Sequence, residues 1–137
     1  MPEATGAPAP GIRWLPASGL IVSRAAGVYW EAVRVSSSDA QQALQAARPP
    51  QNWNGPVIAN DYTNAWTFLL ARGPKTRWDV PGSRILRHGT RVGIPPAAAR
   101  CGPDAHWAFP PQGPHLPSLT ELRRLLTSAS DHPRRQS

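Results

Sequence analysis

Prolines and glycines set the strongest constraint on how this chain can fold. The sequence of 137 residues contains 17 prolines and 11 glycines, many of them between apolar runs. Proline does not fit the interior of a helix and cannot donate a hydrogen bond within a sheet, so long regular elements are disfavoured. The sequence therefore predicts one small domain of short strands and helices, with much of the chain in loops.

Two segments have the pattern of amphipathic helices. Residues 39–47 place alanines and Leu44 on one stripe, after serines suited to capping and with Asp39 in the first turn. Near the C-terminal end, Ser118 and Glu121 have the spacing of a capping box, and leucines recur after them at helical spacing. Both segments are predicted to form helices that bury one apolar face.

Strand patterns lie mostly between these two helices. Residues 12–26 predict a short strand or a turn-containing segment, because Pro16 and Gly19 interrupt the apolar run. Runs rich in β-branched and aromatic residues predict strands at 28–35, 55–59, 65–71, 84–87, 91–94 and 106–109. The turn-forming residues 60–64 predict a hairpin. This order predicts an α+β fold, with a mainly antiparallel sheet and two flanking helices.

The ends of the chain differ in composition from its middle. Residues 1–11 are rich in proline, alanine and glycine and are expected to be disordered, as are residues 128–137, a basic tail. A single domain is predicted over residues 12–127. No apolar run is long enough for a transmembrane helix and no signal-peptide pattern begins the chain. Together with the single cysteine, Cys101, this favours a cytoplasmic protein without a membrane partner.

The charge of the chain is strongly positive. The net charge is +7, and 14 of the 15 basic residues are arginine, Lys75 being the exception. Such a balance is compatible with a phosphate-bearing partner. Arginine, alanine and proline are also frequent in proteins encoded by GC-rich genomes, and arginines alternating along a strand are also typical of the solvent side of a sheet. Charge alone therefore leaves nucleic-acid binding as one of two interpretations.

Six tryptophans in a chain of this size are unusual. Tryptophan supplies a large buried area to a small core, and its indole N–H then needs a hydrogen-bond partner. An exposed indole can instead stack on nucleic-acid bases. The pattern favours core packing for most of them and leaves base stacking or ligand contact open for the others.

The residues needed for catalysis are scarce. The chain has no metal-ligand spacing, no glycine-rich phosphate loop and no nucleophile motif. Two-metal polymerase chemistry needs neighbouring carboxylates, but none of the eight acidic residues forms a D-x-D pair. An active nucleotidyltransferase would have to use Asp61, Asp79 and Asp104. The sequence favours a non-catalytic protein, with no catalytic residue, cofactor or metal predicted.

The segment Trp78–Pro96 resembles the distal part of the bifunctional primase–polymerase domain of the archaeo-eukaryotic primase superfamily. The stretch from Pro81-Gly82 to Pro95-Pro96 has the length and boundaries of the family's segment, with Gly89 in register. Over residues 12–127 the chain is also similar to small actinobacterial proteins described as primase–polymerase-like. Those proteins share a strand similar to Trp30–Val35, a hairpin beginning G-P-V, a W-D-V-P-G segment and a closing helix.

The departures from that family concern its active site. The position of a metal-binding aspartate is occupied by Arg84, and the position of a nucleotide-contacting histidine by Ala65. The D-x-D metal pair has no counterpart. A guanidinium cannot replace a carboxylate that binds a cation, so the resemblance implies a related fold without a polymerase site.

These observations predict a non-catalytic, primase–polymerase-like module that binds DNA or RNA, or a replication or regulatory protein, through an arginine-rich face. The alternative is a protein-interaction or regulatory module with a surface rich in tryptophan and proline and no nucleic-acid role. The residues predicted to contact nucleic acid are Arg84, Arg87, Arg91, Lys75, Arg77, Trp66 and Trp78.

Overall fold

The structure is a computed structural model that describes residues 12–17, 19–46, 53–73 and 78–131, with side chains described as far as residue 127. The predicted N-terminal tail lies outside the described residues. Lys75 and Arg77, two of the residues predicted to contact nucleic acid, also lie outside them.

Within the described ranges the chain forms seven strands and two helices, which confirms the predicted α+β fold. In chain order these are β1 Val22–Ala25, β2 Glu31–Ser36, α1 Ser37–Ala46, β3 Val57–Asn60, β4 Ala65–Leu70, β5 Ser83–Ile85, β6 Arg91–Ile94, β7 His106–Phe109 and α2 Leu119–Asp131. Helix α2 thus continues four residues beyond the predicted end of the domain at residue 127. Neither helix is long and apolar enough to cross a membrane.

The main sheet has five strands in the order β5-β2-β4-β3-β7, and every neighbouring pair is antiparallel. The predicted hairpin is confirmed by the pairing of β3 with β4. Strands β5 and β6 are neighbours in sequence but belong to different sheets, because β6 pairs with β1 in a separate two-stranded sheet. The short connection between them, which includes Gly89 at a φ of 94°, therefore carries the chain from one sheet to the other.

Both helices pack against one face of the main sheet, and we call the apolar residues between them the helix-side core. Alternate residues of β2 and β4, such as Val33, Val35, Phe68 and Leu70, point into it. From the helices it receives Ala40, Ala43, Leu44, Leu119, Leu122 and Leu126. The predicted apolar stripes of both helices are confirmed by these contacts.

The opposite face of the main sheet is covered by the two-stranded sheet and by the chain before β1. We call this layer the tryptophan-side core. Trp14 lies between Trp30 and Trp107, with ring centroids 6.3 and 6.2 Å away, and Val92 and Ile94 pack beside them. Trp53, on the helix side, is also buried. Core packing is thus confirmed for four of the six tryptophans.

The start of α2 lies where the sequence predicts, whereas α1 begins at Ser37, two residues before the predicted start, with the N–H of Asp39 donating to Ser36 Oγ at 3.4 Å. The backbone N–H of Ser118 donates to Glu121 Oε2 at 3.0 Å, and the N–H of Glu121 donates to Ser118 Oγ at 3.1 Å, which completes the capping box. Gly82 has a φ of 79°, and a Cβ at this position would overlap the carboxylate of Asp39. The glycine therefore lets the chain turn closely past the start of α1.

The helix-side core should depend most on side chains that have no exposed surface. Leu122, near the start of α2, is 0% exposed, whereas Leu125 is only partly buried. We expect Leu122→Ala to lower the free energy of unfolding by about 2–5 kcal/mol, because the truncation removes buried methyl groups and leaves a cavity. Urea denaturation of both variants measures this. Leu125→Ala should cost less than half as much, and equal losses would contradict the assigned packing.

Candidate functional site

A row of directly paired residues crosses the main sheet. Arg84 of β5 lies opposite Arg34 of β2, Arg34 lies opposite Thr67 of β4, and Thr67 lies opposite Ile58 of β3. Directly opposed residues in antiparallel strands have side chains on the same face of the sheet. The row therefore lies on the face opposite the helices, and it passes from two cations at one end to an apolar residue of the tryptophan-side core.

The two arginines at this end of the row are not neutralised. Arg84 is exposed and Arg34 is half-buried, and neither guanidinium has a hydrogen bond or an ion pair with another residue that the structure describes. Like charges directly opposite each other in a sheet are destabilising. This arrangement becomes favourable when an anion lies between or above the two guanidinium groups.

A recess of about 130 Å³ opens beside Arg34, between the main sheet and the two-stranded sheet. Thr67 lines it and is only 7% exposed, yet its hydroxyl has no hydrogen-bond partner among the described residues. Asn60 and Asp104 contribute further polar groups. Because the Thr67 hydroxyl opens onto the recess and is not a fully enclosed group, it is free to form a hydrogen bond with a bound ligand, which makes it a candidate ligand contact.

Arg87 and Arg91 follow Arg84 along the chain but differ in their surroundings. Arg87 is exposed in the connection between β5 and β6. Arg91 lies on the two-stranded sheet, where its Nε donates to Ser23 Oγ at 2.9 Å and its Nη2 donates to the backbone carbonyl of Ser23 at 3.2 Å. The structure brings Arg84 together with Arg34, which the sequence did not single out, and places Arg87 and Arg91 on other elements.

The two tryptophans predicted to stack on bases lie on the helix side of the main sheet, away from the Arg34–Arg84 pair. Trp66 packs against the helix-side core. Trp78 packs there too, its Nε1 donates to Ser83 Oγ at 2.9 Å, and the guanidinium of Arg123 lies 5.8 Å from its ring centre. The surroundings of Trp78 thus give it a structural role in holding the chain before β5 against α2.

The three remaining acidic candidates do not converge. Asp79 forms an ion pair with Arg123 on the helix side, Asp61 lies exposed in the turn after β3, and Asp104 lines the recess beside Arg34. Among the described residues, no group of three or more His, Cys, Asp or Glu side chains is placed to hold a metal ion.

A second constellation joins Glu31 to His88, and sequence reasoning did not identify it. His88 Nε2 lies 3.0 and 3.1 Å from the two carboxylate oxygens of Glu31, whose side chain is 5% exposed. Gly27, with a φ of 94°, lies directly under the imidazole, where a Cβ would overlap the ring. Glu31 is two residues before Val33, so both side chains lie on the helix-facing side of β2. A charged residue at such a position in an apolar strand is the sequence signal that could have indicated a buried carboxylate with a partner.

The Glu31–His88 pair borders a recess of about 100 Å³ that also touches Gly73 and Leu119. A buried carboxylate that accepts from one ring nitrogen fixes the orientation of an imidazole. The pair also links the start of β2 to the connection between β5 and β6. The pair therefore stabilises the packing of these two segments next to Arg87. It lies on the helix side of the main sheet, whereas the Arg34–Arg84 pair lies on the opposite face.

The chain was compared with protein-family models, with curated proteins and with solved structures, and none of the three comparisons found a match.

Loss of the imidazole should destabilise the fold, because it leaves the buried carboxylate without its partner. We expect His88→Ala to lower the free energy of unfolding by about 1–3 kcal/mol. Combining it with Glu31→Met should restore part of that loss, since no buried charge remains. Urea denaturation at neutral pH measures both effects. His115→Ala, at an exposed histidine, is the matched control and should change little. If the double variant is no more stable than His88→Ala alone, the pairing argument fails.

Proposed function

We propose that this protein is a non-catalytic module that binds nucleic acid through the face of the main sheet that carries Arg34 and Arg84. The observation that carries the proposal is the direct opposition of these two cations, neither of which has a partner among the described residues. Such a pair costs stability in the free protein and is compensated when phosphate oxygens accept hydrogen bonds from both guanidinium groups.

The chemistry of the pair suits a phosphate backbone. Arginine presents a planar set of N–H donors that matches phosphate oxygens, and Cα atoms of directly opposed residues are about 5 Å apart. Arg87 adds an exposed positive charge on the connection that follows β5. The net charge of +7 would attract a polyanion over longer distances at low ionic strength.

The proposal includes an evolutionary relation to primase–polymerase domains, with the polymerase site absent. Arg84 occupies the position of the family's metal-binding aspartate, and Ala65 occupies that of its histidine. These two positions lie on the same face of the main sheet, because Ala65 is two residues from Thr67 on β4. A cation at the first position suits phosphate binding directly, without a metal ion between protein and phosphate.

A protein partner is the second candidate, and it is favoured by a different observation. The tryptophans do not form the expected surface, because four are buried and the other two are partly buried. Other large apolar side chains are exposed instead, and these are Leu20, Ile21, Val28, Tyr29 and Tyr62. Exposed apolar side chains of this kind are candidates for a protein interface.

Removing one of the paired arginines should weaken nucleic-acid binding more than removing an equal charge elsewhere. We expect Arg84→Ala to lower the affinity for an oligonucleotide about tenfold at low salt, because a charge-assisted hydrogen bond to phosphate is lost. The slope of log affinity against log salt concentration should fall by about one. Fluorescence anisotropy with a labelled single strand, at several salt concentrations, measures both quantities.

The matched control is Arg124→Ala, an exposed arginine on α2 at the other side of the main sheet. It removes the same charge and should change the affinity less than twofold. If the wild-type protein binds no oligonucleotide at low salt, the proposal fails. If both variants weaken binding equally, only the net charge matters and the Arg34–Arg84 pair is not the contact surface.

A further inference from the structure

We infer that the recess beside Arg34 takes one unpaired base of the bound strand, so that the protein selects single-stranded over double-stranded nucleic acid. The inference rests on the proposed function and adds the class of nucleic acid to it. It is carried by the size of the recess, by the unpartnered hydroxyl of Thr67 and by the mixture of donors and acceptors at its wall.

The size of the recess fits one six-membered ring. Its volume is about 130 Å³, and a protein cavity of about 150 Å³ is known to hold benzene. Ile58 of the main sheet and Val92 of the two-stranded sheet both line it. Apolar side chains from two facing layers offer contact to the flat surfaces of an aromatic ring, whichever hydrogen-bonding groups that ring carries.

The polar groups of the recess fit a base better than a phosphate. Asn60 Oδ1 accepts hydrogen bonds from the backbone N–H groups of Tyr62 and Thr63, at 2.9 and 3.3 Å, which leaves the amide nitrogen as a donor. Asp104 Oδ1 accepts from the N–H of Ala105, and its other oxygen makes no hydrogen bond with a described residue. A phosphate inside the recess would be repelled by this carboxylate, so the phosphate contacts are assigned to the guanidinium groups outside it, whereas the edge of an unpaired base presents donors as well as acceptors.

The position of the recess connects it to the proposed phosphate contacts. Thr67, with its unpartnered hydroxyl, lies directly opposite Arg34, which in turn lies opposite Arg84. A strand whose phosphates contact the two arginines would thus have the recess beside it, on the side of Thr67. In a duplex the edge of each base is hydrogen-bonded to its complement and the base is stacked, so entry would require flipping at additional cost.

The experiment compares three probes with the wild-type protein by fluorescence anisotropy at one low salt concentration. The probes are an oligothymidylate of about 20 nucleotides, an abasic strand with the same number of phosphates, and a blunt duplex of the same length. We expect the oligothymidylate to bind about five- to tenfold more tightly than either of the others, because base contacts typically contribute this much.

Two variants assign the preference to the recess. Ala65→Leu fills it without changing charge, and Thr67→Val removes only the hydroxyl. Ala65→Leu should bring the affinities for oligothymidylate and abasic strand to within about twofold of each other, while the affinity for the abasic strand stays unchanged. Thr67→Val should reduce the preference by a smaller factor. Thermal unfolding of both variants shows whether they are folded, and Thr67→Val remains the test if Ala65→Leu is not.

The outcomes separate this inference from the function on which it rests. If no probe binds the wild-type protein, the proposed function fails. If all three probes bind equally well and Arg84→Ala weakens all of them, the phosphate surface stands and the base recess is wrong. If the preference for oligothymidylate persists in folded Ala65→Leu and in Thr67→Val, the base is recognised elsewhere and the inference is also overturned.

Discussion

The antiparallel pairing of β2 with β4 is the interaction on which the rest of the structure depends. It joins the two longest strands over six residue pairs, from Glu31 opposite Leu70 to Ser36 opposite Ala65. Because side chains alternate between the faces of a strand, this register decides which residues face the helices and which face the two-stranded sheet. If β2 slipped by one residue against β4, Arg34 would turn into the helix-side core and Val33 would move to the opposite face.

Both faces of this strand pair are covered, but the cover on the face opposite the helices is uneven. Along the row that crosses the sheet, Trp107 and Ile58 are buried, Thr67 is nearly buried, Arg34 is half-buried and Arg84 is exposed. The tryptophan-side core thus ends where the arginines begin. A guanidinium keeps its charge in partly buried positions, so this border between apolar and exposed surface is where two cations can lie together and still reach a ligand.

Much of the local structure could be predicted from sequence because it depends on neighbouring residues. The Ser118–Glu121 capping box, the stripe of Ala40, Ala43 and Leu44 in α1, and the β3–β4 hairpin all involve short separations along the chain. The functional surface could be predicted only in part. Arg84 was identified, but its partner Arg34 and Thr67, which lines the recess, come from strands far from it in sequence. Trp78 was expected to be available for stacking, yet it packs beside Arg123, which follows it by 45 positions.

By itself, the sequence determined the kind and order of most elements, the capped start of α2, the positive charge and the shortage of paired carboxylates. Each of these follows from residue type and local spacing. Only the tertiary structure decided that β5 pairs with β2 whereas β6 pairs with β1 in the two-stranded sheet, and hence that Arg84 lies opposite Arg34. It also placed His88 against Glu31 across 57 positions of sequence. Such contacts form because both faces of the main sheet must be buried at the same time by segments that are distant in sequence. Which distant segments pair is not visible in any local sequence pattern.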